Sequence, residues 1–278
     1  MKESDWIMKS ALDTVRLARH GKRPTTRDYI DALIDDFIEL HGDRRFADDP
    51  AMVAGIGFLD GTPVTILGQQ KGKNVKENIR RNFGMAHPEG YRKALRLMQQ
   101  AERFGRPVIT LIDTPGAYPG IGAEERGQAE AIAVNLYEMS GLRVPIVACV
   151  TGEGGSGGAL GIAVADRVFM LSNAIYSVIS PEGCASILWK DTGRTADAAE
   201  ALRLTARDLR ELRVIDGIIA EPDPGAHEFP AETARRLKKT LRHALRELLE
   251  IDPETLLQQR YMKFRTMGVY AGAASPAP

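Results

Sequence analysis

Apolar positions along this chain recur at two spacings, and the changes of spacing mark out the elements. From Trp6 to His41 they recur at helical intervals on either side of Gly21-Lys22-Arg23-Pro24. This pattern predicts two amphipathic helices, with Thr25 or Thr26 placed to cap the second. From Ala51 to Gln70 two β-branched runs flank Asp60-Gly61 and predict a hairpin. Pro88 opens a helical pattern in which Tyr91, Ala94, Leu95, Met98, Ala101 and Phe104 recur at three and four residues, ending at Gly105.

A buried strand follows from Pro107 to Ile112, then a glycine loop from Thr114 to Gly122 and a helix through Ala129, Ile132, Ala133, Leu136 and Tyr137. The unit then repeats in outline. An apolar strand, Val144 to Val150, meets a second glycine stretch, Gly152 to Leu160, and a small-residue helical pattern, Ala159 to Ala165. Two short β-rich runs come next, Arg167–Leu171 and Ile175–Ile179. Ser180-Pro181-Glu182 then caps a helix through Trp189. A last strand, Val214 to Ala220, precedes two charged helices. Strands alternating with helices predict an α/β fold with right-handed crossovers onto one parallel sheet. The expected domains are N-terminal helices (1–45), a core (46–225), C-terminal helices (226–270) and a disordered tail (271–278).

The stretch Gly-Glu-Gly-Gly-Ser-Gly-Gly-Ala-Leu at Gly152–Leu160 is the strongest chemical signal. Five glycines at a strand-to-helix junction leave the backbone free to adopt positive φ and let a ligand approach bare N–H groups. At a helix start those groups lack intrahelical partners and carry the positive end of the macrodipole, which suits an oxyanion. Three other readings compete. The glycines could serve only a tight turn and close packing. Gly154-Gly155-Ser156-Gly157-Gly158 also fits the G-x-S-x-G nucleophile elbow, for which His227 and His243 are the downstream histidines. A phosphate loop fits less well, because Ala159 and Leu160 stand where Lys and a hydroxyl belong.

Composition narrows the field. In 278 residues, 44% hydrophobic, Lys plus Arg (37) balance Asp plus Glu (37), so no net field draws the chain to nucleic acid or an anionic membrane. The two cysteines, Cys149 and Cys184, lie in apolar or small-residue surroundings. They point to reduced core residues and a cytoplasmic setting, without a disulfide framework or zinc site. No apolar run approaches a membrane span, and the charged start does not resemble a signal peptide. Lys71, Lys73, Lys76, Arg80 and Arg81 form the densest basic cluster. It reads either as a solvated face or as a site for a phosphate- or carboxylate-bearing substrate, with Arg80 and Arg81 able to clamp two oxygens. Asp113, before Thr114-Pro115-Gly116, is a candidate base or a turn cap. Glu124 and Glu125 read as helix-dipole partners, and Met262-Lys263-Phe264 lacks the second Met of a biotin attachment site.

Five segments carry a resemblance: Asn82-Phe83-Gly84, Pro88 to Arg96, Ile112 to Gly120, Gly152 to Leu160 and Ser180 to Lys190. Over about Leu17 to Tyr270 the chain resembles the alpha subunits of bacterial acetyl-CoA carboxylase carboxyltransferases. The resemblance departs at the N-terminus, where the family often carries a longer helical extension. It implies a crotonase-like ββα superhelix with helical additions at both termini, and a cytoplasmic α2β2 assembly with a zinc-ribbon beta subunit. It also implies transfer of a carboxyl group from carboxybiotin, tethered to a separate biotin carboxyl carrier protein, to acetyl-CoA. The product would be malonyl-CoA for fatty acid biosynthesis.

This resemblance assigns Gly157 and Gly158 as an oxyanion donor pair, with Gly154, Gly155 and Ser156 shaping the turn. Gly116, Ala117, Tyr118 and Gly120 would line the opposite wall. No metal, tightly bound cofactor, membrane or nucleic acid is expected, and Ser156 is a turn residue. A biotin-dependent acyl-CoA decarboxylase subunit would use the same glycines. A serine hydrolase acting through Ser156 and a non-catalytic scaffold are the alternatives from other classes.

Overall fold

The computed structural model describes residues 9–268. Residues 6–8 of the first expected helix and the expected disordered tail (271–278) lie outside the described residues. The element order is α1 (Ala11–Ala18), α2 (Thr26–Leu33), β1 (Asp35–Glu39), β2 (Met52–Leu59), β3 (Thr62–Gln69), α3 (Val75–Arg80) and α4 (Pro88–Arg103). It continues with β4 (Val108–Thr114), α5 (Ile121–Glu125), α6 (Gln128–Gly141), β5 (Ile146–Gly155), α7 (Ser156–Leu160), β6 (Arg167–Leu171), β7 (Ile175–Ser177) and α8 (Pro181–Trp189). The last elements are α9 (Thr195–Ala201), α10 (Ala206–Glu211), β8 (Gly217–Ile219), α11 (Pro230–Leu249) and α12 (Pro253–Arg265). Among the described residues no helix is long and apolar enough to cross a membrane.

One sheet runs in the order β1-β2-β3-β4-β5-β6-β8, and β7 also pairs with β5. The β1–β2 and β2–β3 pairings are antiparallel, and every pairing from β3 onward is parallel. The hairpin turns at Asp60 and Gly61, both at positive φ (48° and 80°), the backbone that a two-residue Asp-Gly turn supplies. β4 is buried at all its positions, as a central strand covered on both faces should be. Tyr91 on α4, Asn135 on α6 and the chain after α7 are joined by hydrogen bonds. Asn135 Nδ2 donates to the carbonyls of Tyr91 and Gly161 at 3.1 and 3.0 Å.

Several expectations needed correction. Asp35–Glu39, read as part of the second helix, is a strand; the helix ends at extended Ile34, and the chain then adds an antiparallel edge to β2. β5 does not stop at Val150 but runs on through Gly155, because its second half finds β7 as a new parallel neighbour at Glu153–Gly155. The helix expected over Ala159–Ala165 is only the single turn α7, starting at Ser156. The last strand shortens to Gly217–Ile219. α9 and α10 lie in a stretch to which the pattern assigned no element.

The C-terminal helices are tied to the core. Arg260 on α12, 1% exposed, donates Nε and Nη2 to the two carboxylate oxygens of Asp166 at 2.8 Å. Its Nη1 and Nη2 also reach the carbonyls of Met139, Leu142 and Val144 at 2.7–3.0 Å. One side chain thereby satisfies the carbonyls of the α6–β5 connection, which would otherwise be buried without donors.

Candidate active site

β4 and β5 are parallel neighbours, so the loops leaving their carboxyl ends share one crevice, the usual place for a ligand on such a sheet. The β4–β5 register breaks between Ile112 and Thr114, and Thr114 then pairs with Gly154. Beyond this irregularity the chain leaves β4 through Pro115-Gly116-Ala117-Tyr118, while β5 turns sharply into α7. Thr114 Oγ1 donates to the Gly116 carbonyl at 2.6 Å and accepts from the Gly116 N–H, holding the first loop against its own strand.

None of the glycines in the β5–α7 turn has positive φ; Ser156 does, at 52°. The expectation that these glycines supply left-handed backbone is therefore wrong. Their role is close approach. A Cβ on Gly155 would lie 2.2 Å from the Pro115 carbonyl oxygen, and one on Gly158 would lie 2.3 Å from the Gly116 carbonyl carbon and 2.4 Å from the Ala117 nitrogen. A Cβ on Gly154 would meet the Tyr176 ring at 2.8 Å. Gly157 differs, with only Ile132 Cδ1 within 4 Å, at 3.8 Å.

The turn is thus pressed onto the first loop at Gly155 and Gly158, and open at Gly157. Gly155, the N-cap residue, provides no side-chain hydrogen bond, so the first N–H groups of α7 have no capping side chain. The Gly158 carbonyl is pinned from below: Gln69 Nε2 donates to it at 3.0 Å and Tyr91 Oη at 3.2 Å. Gln69, fully buried at the end of β3, also accepts from the Asp113 N–H through Oε1 at 3.3 Å.

The segment from Gly116 to Gly120, expected to line the opposite wall, meets the turn at Gly116 and Ala117. Gly116 and Ala117 pack on Gly158. The Tyr118 ring lies over Gly120, where a Cβ would be 2.3 Å from the ring, and stacks on His87 with 4.1 Å between centroids. Arg80 and Arg81 do not join this crevice. Arg80 is exposed on α3, and Arg81 Nη1 donates to the Pro50 carbonyl at 2.9 Å.

Of the basic cluster, the structure brings in Lys71. Its Nζ lies 2.8 Å from Asp113 Oδ1 and 2.7 Å from Glu153 Oε2. Arg19 Nε holds the other Glu153 oxygen at 2.6 Å, and Arg19 Nη1 reaches Glu182 at 2.7 Å. Burial opposes the charge on Lys71, but Asp113 and Glu153 overcome it and hold the ammonium above its ordinary value. Burial likewise opposes the Glu153 charge, yet Lys71 and Arg19 keep its carboxyl below the usual range. Beside these groups opens a cleft of about 360 Å³ lined in part by Arg19, Arg23, Lys71, Phe83, Asp113 and Glu153. Asp113 is committed to Lys71 and to the Glu153 N–H (2.9 Å), so it is not a free base.

The hydrolase reading lacks its partner. Ser156 has the exposed, positive-φ backbone of a nucleophile elbow, but no histidine bonds to its hydroxyl. His227 lies against His20 at 4.2 Å between centroids, and His243 pairs with Glu247 on the exposed side of α11. Among the described residues no group of three or more His, Cys, Asp and Glu side chains is placed to hold a metal ion.

Comparison with known proteins identifies the family and the fold. Residues 4–268 match the family described as acetyl co-enzyme A carboxylase carboxyltransferase-like. The chain is 60% identical over 258 residues to the acetyl-coenzyme A carboxylase carboxyl transferase subunit alpha of Staphylococcus carnosus, covering 93% of this chain and 82% of that one. It is 56% identical over 269 residues to the same subunit of Treponema denticola, covering 97% and 88%. Among solved structures, transcarboxylase 12S with methylmalonyl-coenzyme A bound superposes with a TM-score of 0.66 at 20% identity, covering 96% of this chain and 46% of that one. The geranyl-CoA carboxylase beta subunit of P. aeruginosa gives 0.63 at 18% identity, with 88% and 46% covered. The chain therefore spans about half the length of these two structures, and at such identity they show a shared fold, that of the crotonase-like carboxyltransferases.

Proposed function

This chain belongs to the acetyl-CoA carboxylase carboxyltransferase alpha-subunit family, and from that premise we propose that the β5–α7 turn is its carboxyl-transfer site. The reaction class is carboxyl transfer to acetyl-CoA. The donor in our reading is carboxybiotin on a separate carrier protein. Its N–C bond breaks, leaving the electron pair and developing negative charge on the ureido group. The freed ureido nitrogen takes a proton from the acetyl methyl group, and the resulting enolate carbon bonds to the released carboxyl to give malonyl-CoA. Two oxygens become more negative during this exchange, the ureido oxygen and the thioester oxygen, and each needs fixed donors.

The observation that carries the proposal is the arrangement at Gly155–Gly158. The helix start is bare, open to solvent at Gly157, and fixed in place by Gln69 and Tyr91 on the Gly158 carbonyl. We assign the N–H groups of Gly157 and Gly158 to one of the two oxygens, with the ureido oxygen favoured. Each fixed donor stabilises such a charge by about 3–4 kcal/mol. Gly154, Gly155 and Ser156 shape the turn, and Gly116, Ala117, Tyr118 and Gly120 form the facing wall. Arg80, exposed on α3 and outside this crevice, is left in our reading as a candidate for an anionic group of the substrate remote from the turn.

One turn supplies one donor pair, so the reading requires a second subunit. We assign that role to a zinc-ribbon beta subunit in a cytoplasmic α2β2 complex serving fatty acid biosynthesis. The decarboxylase alternative is disfavoured by sequence. Identity to named carboxyl transferase alpha subunits is 56–60%, against 18% to a Pseudomonas malonate decarboxylase chain of similar fold. The test is to purify this chain with its beta partner and measure malonyl-CoA formation from acetyl-CoA and carboxybiotin, beside each chain alone. Activity confined to the mixture supports the reading. A stable complex inactive with acetyl-CoA but active as a decarboxylase would replace it.

A further inference from the structure

We propose that Lys71, Asp113 and Glu153 are positioning residues that set the direction of the N–H groups at Gly157 and Gly158; this rests on the carboxyl-transfer reading and deepens it. The three side chains come from the carboxyl ends of three adjacent strands. Lys71 lies just beyond β3, Asp113 near the end of β4 and Glu153 in the extension of β5. A single ammonium joins both carboxylates at 2.7–2.8 Å. The β4–β5 register breaks beside Asp113, and there its Oδ1 takes the Glu153 N–H at 2.9 Å in place of a strand carbonyl. From that bond β5 runs only two more residues before turning at Ser156. The orientation of Glu153 therefore sets where the turn begins.

Packing around the staple leaves it little freedom. Asp113 lies against the β5 backbone so closely that a Cβ on Gly152 would be 2.4 Å from Oδ1. Gly84, at φ 82°, fits over the Asp113 carbonyl and the Lys71 stem, with ideal Cβ distances of 2.8 and 3.1 Å. Gln69 connects the staple directly to the turn, holding the Asp113 N–H with one end of its amide and the Gly158 carbonyl with the other. Arg19 and Glu182 extend the same network to α1 and α8. Each carboxylate is engaged by a cation. None of the three needs to touch substrate, and their common effect is to hold three strand ends in one register. Buried ion pairs of this kind are weak sources of stability but can specify geometry.

The experiment uses the alpha–beta complex with carrier and acetyl-CoA, at a temperature well below each variant's unfolding transition. Lys71→Met should lower kcat by about 10²-fold, as small displacements of catalytic donors do, with KM for acetyl-CoA within about twofold of wild type. Lys71→Arg should recover much of the loss. Amide exchange of the peptide spanning Thr151 to Gly161 should be faster in Lys71→Met. If Lys71→Met does not fold, the near-isosteric Asp113→Asn serves the same test. A folded variant with lower thermal stability but wild-type kcat and wild-type exchange would overturn the proposal and leave the staple a purely structural feature. If the wild-type complex itself makes no malonyl-CoA, the functional reading fails instead, and the exchange measurement alone decides whether the staple holds the turn.

Discussion

Alanine substituted at Gly157 and at Gly158 should have opposite effects on stability, although the two residues are adjacent in one glycine pair. At Gly158 the new Cβ would stand 2.3 Å from the Gly116 carbonyl carbon, 2.4 Å from the Ala117 nitrogen and 2.7 Å from the Gly116 oxygen. Ordinary contact is about 3.5–4.0 Å, so one backbone must retreat by more than about 1 Å. Overpacking of this kind costs about 1–3 kcal/mol. The retreat also weakens the Gln69 and Tyr91 bonds to the Gly158 carbonyl, each contributing about 1 kcal/mol. A total of about 2–4 kcal/mol, at about 2–4 °C per kcal/mol for a chain of this size, lowers Tm by about 4–16 °C. At Gly157 the Cβ meets only Ile132 Cδ1, at 3.8 Å, and φ is not positive. Replacing glycine there stiffens the unfolded chain and should raise stability by about 0.4–1 kcal/mol, or Tm by about 1–4 °C.

Circular dichroism melts of the two variants beside wild type make the comparison. Equal Tm values for Gly158→Ala and wild type would refute the close-approach argument. The functional half uses Gly157→Val, because a Cβ at Gly157 has only Ile132 Cδ1 within 4 Å. It should keep its fold yet lose about 10²-fold or more in turnover, as removal of an oxyanion donor does. A stable Gly157→Val complex with undiminished turnover would remove Gly157 from the donor pair.

Three further outcomes follow from the same structure. Ser156→Ala should retain turnover of the wild-type order, and wild type should not be labelled by a fluorophosphonate probe; labelling at Ser156 would revive the hydrolase reading. Arg260→Met removes the guanidinium from buried Asp166, which keeps the Ile146 N–H, and from three carbonyls, and should destabilise the chain by about 3–5 kcal/mol in urea unfolding. A cost below about 1 kcal/mol would show that α12 is not clasped as described. Glu153 and Glu221 are buried, but their partners Lys71, Arg19 and Arg23 hold both carboxyls below their ordinary 4.5. A depressed folded-state value adds stability that is complete above the unfolded value and lost as pH falls toward the folded one. The urea midpoint should therefore fall as pH drops below about 4.5, and a midpoint unchanged down to about pH 3 would contradict these ion pairs.

Local chemistry was the legible part of this protein. Asp60-Gly61 announced its hairpin because the turn depends on the φ those two residues adopt. Pro88 and Ser180-Pro181 announced helix starts, and Ser180 accepts the Gly183 N–H at 3.1 Å, as a cap should. Alternation of strands and helices placed the glycine turn and its facing loop at the carboxyl ends of two strands, and the β4–β5 pairing brings those ends together. β1 was not legible, since a five-residue stretch after a helix becomes an edge strand only when β2 is beside it.

Lys71 and Lys73 look alike in sequence, two residues apart in one basic run. Only the folded sheet sends Lys71 to Asp113 and Glu153 and leaves Lys73 exposed on Asp28. Gln69 carries no motif at all, and its importance comes from the backbone groups that other strands and α7 bring to its two amide ends. The sequence by itself determined where glycine was required and which family the pattern resembles, because turn and cap preferences act over a few residues. Why glycine was required there, and which charges are buried, was decided by the tertiary structure. Those effects depend on distances of 2–3 Å between residues 40 to 134 positions apart along the chain.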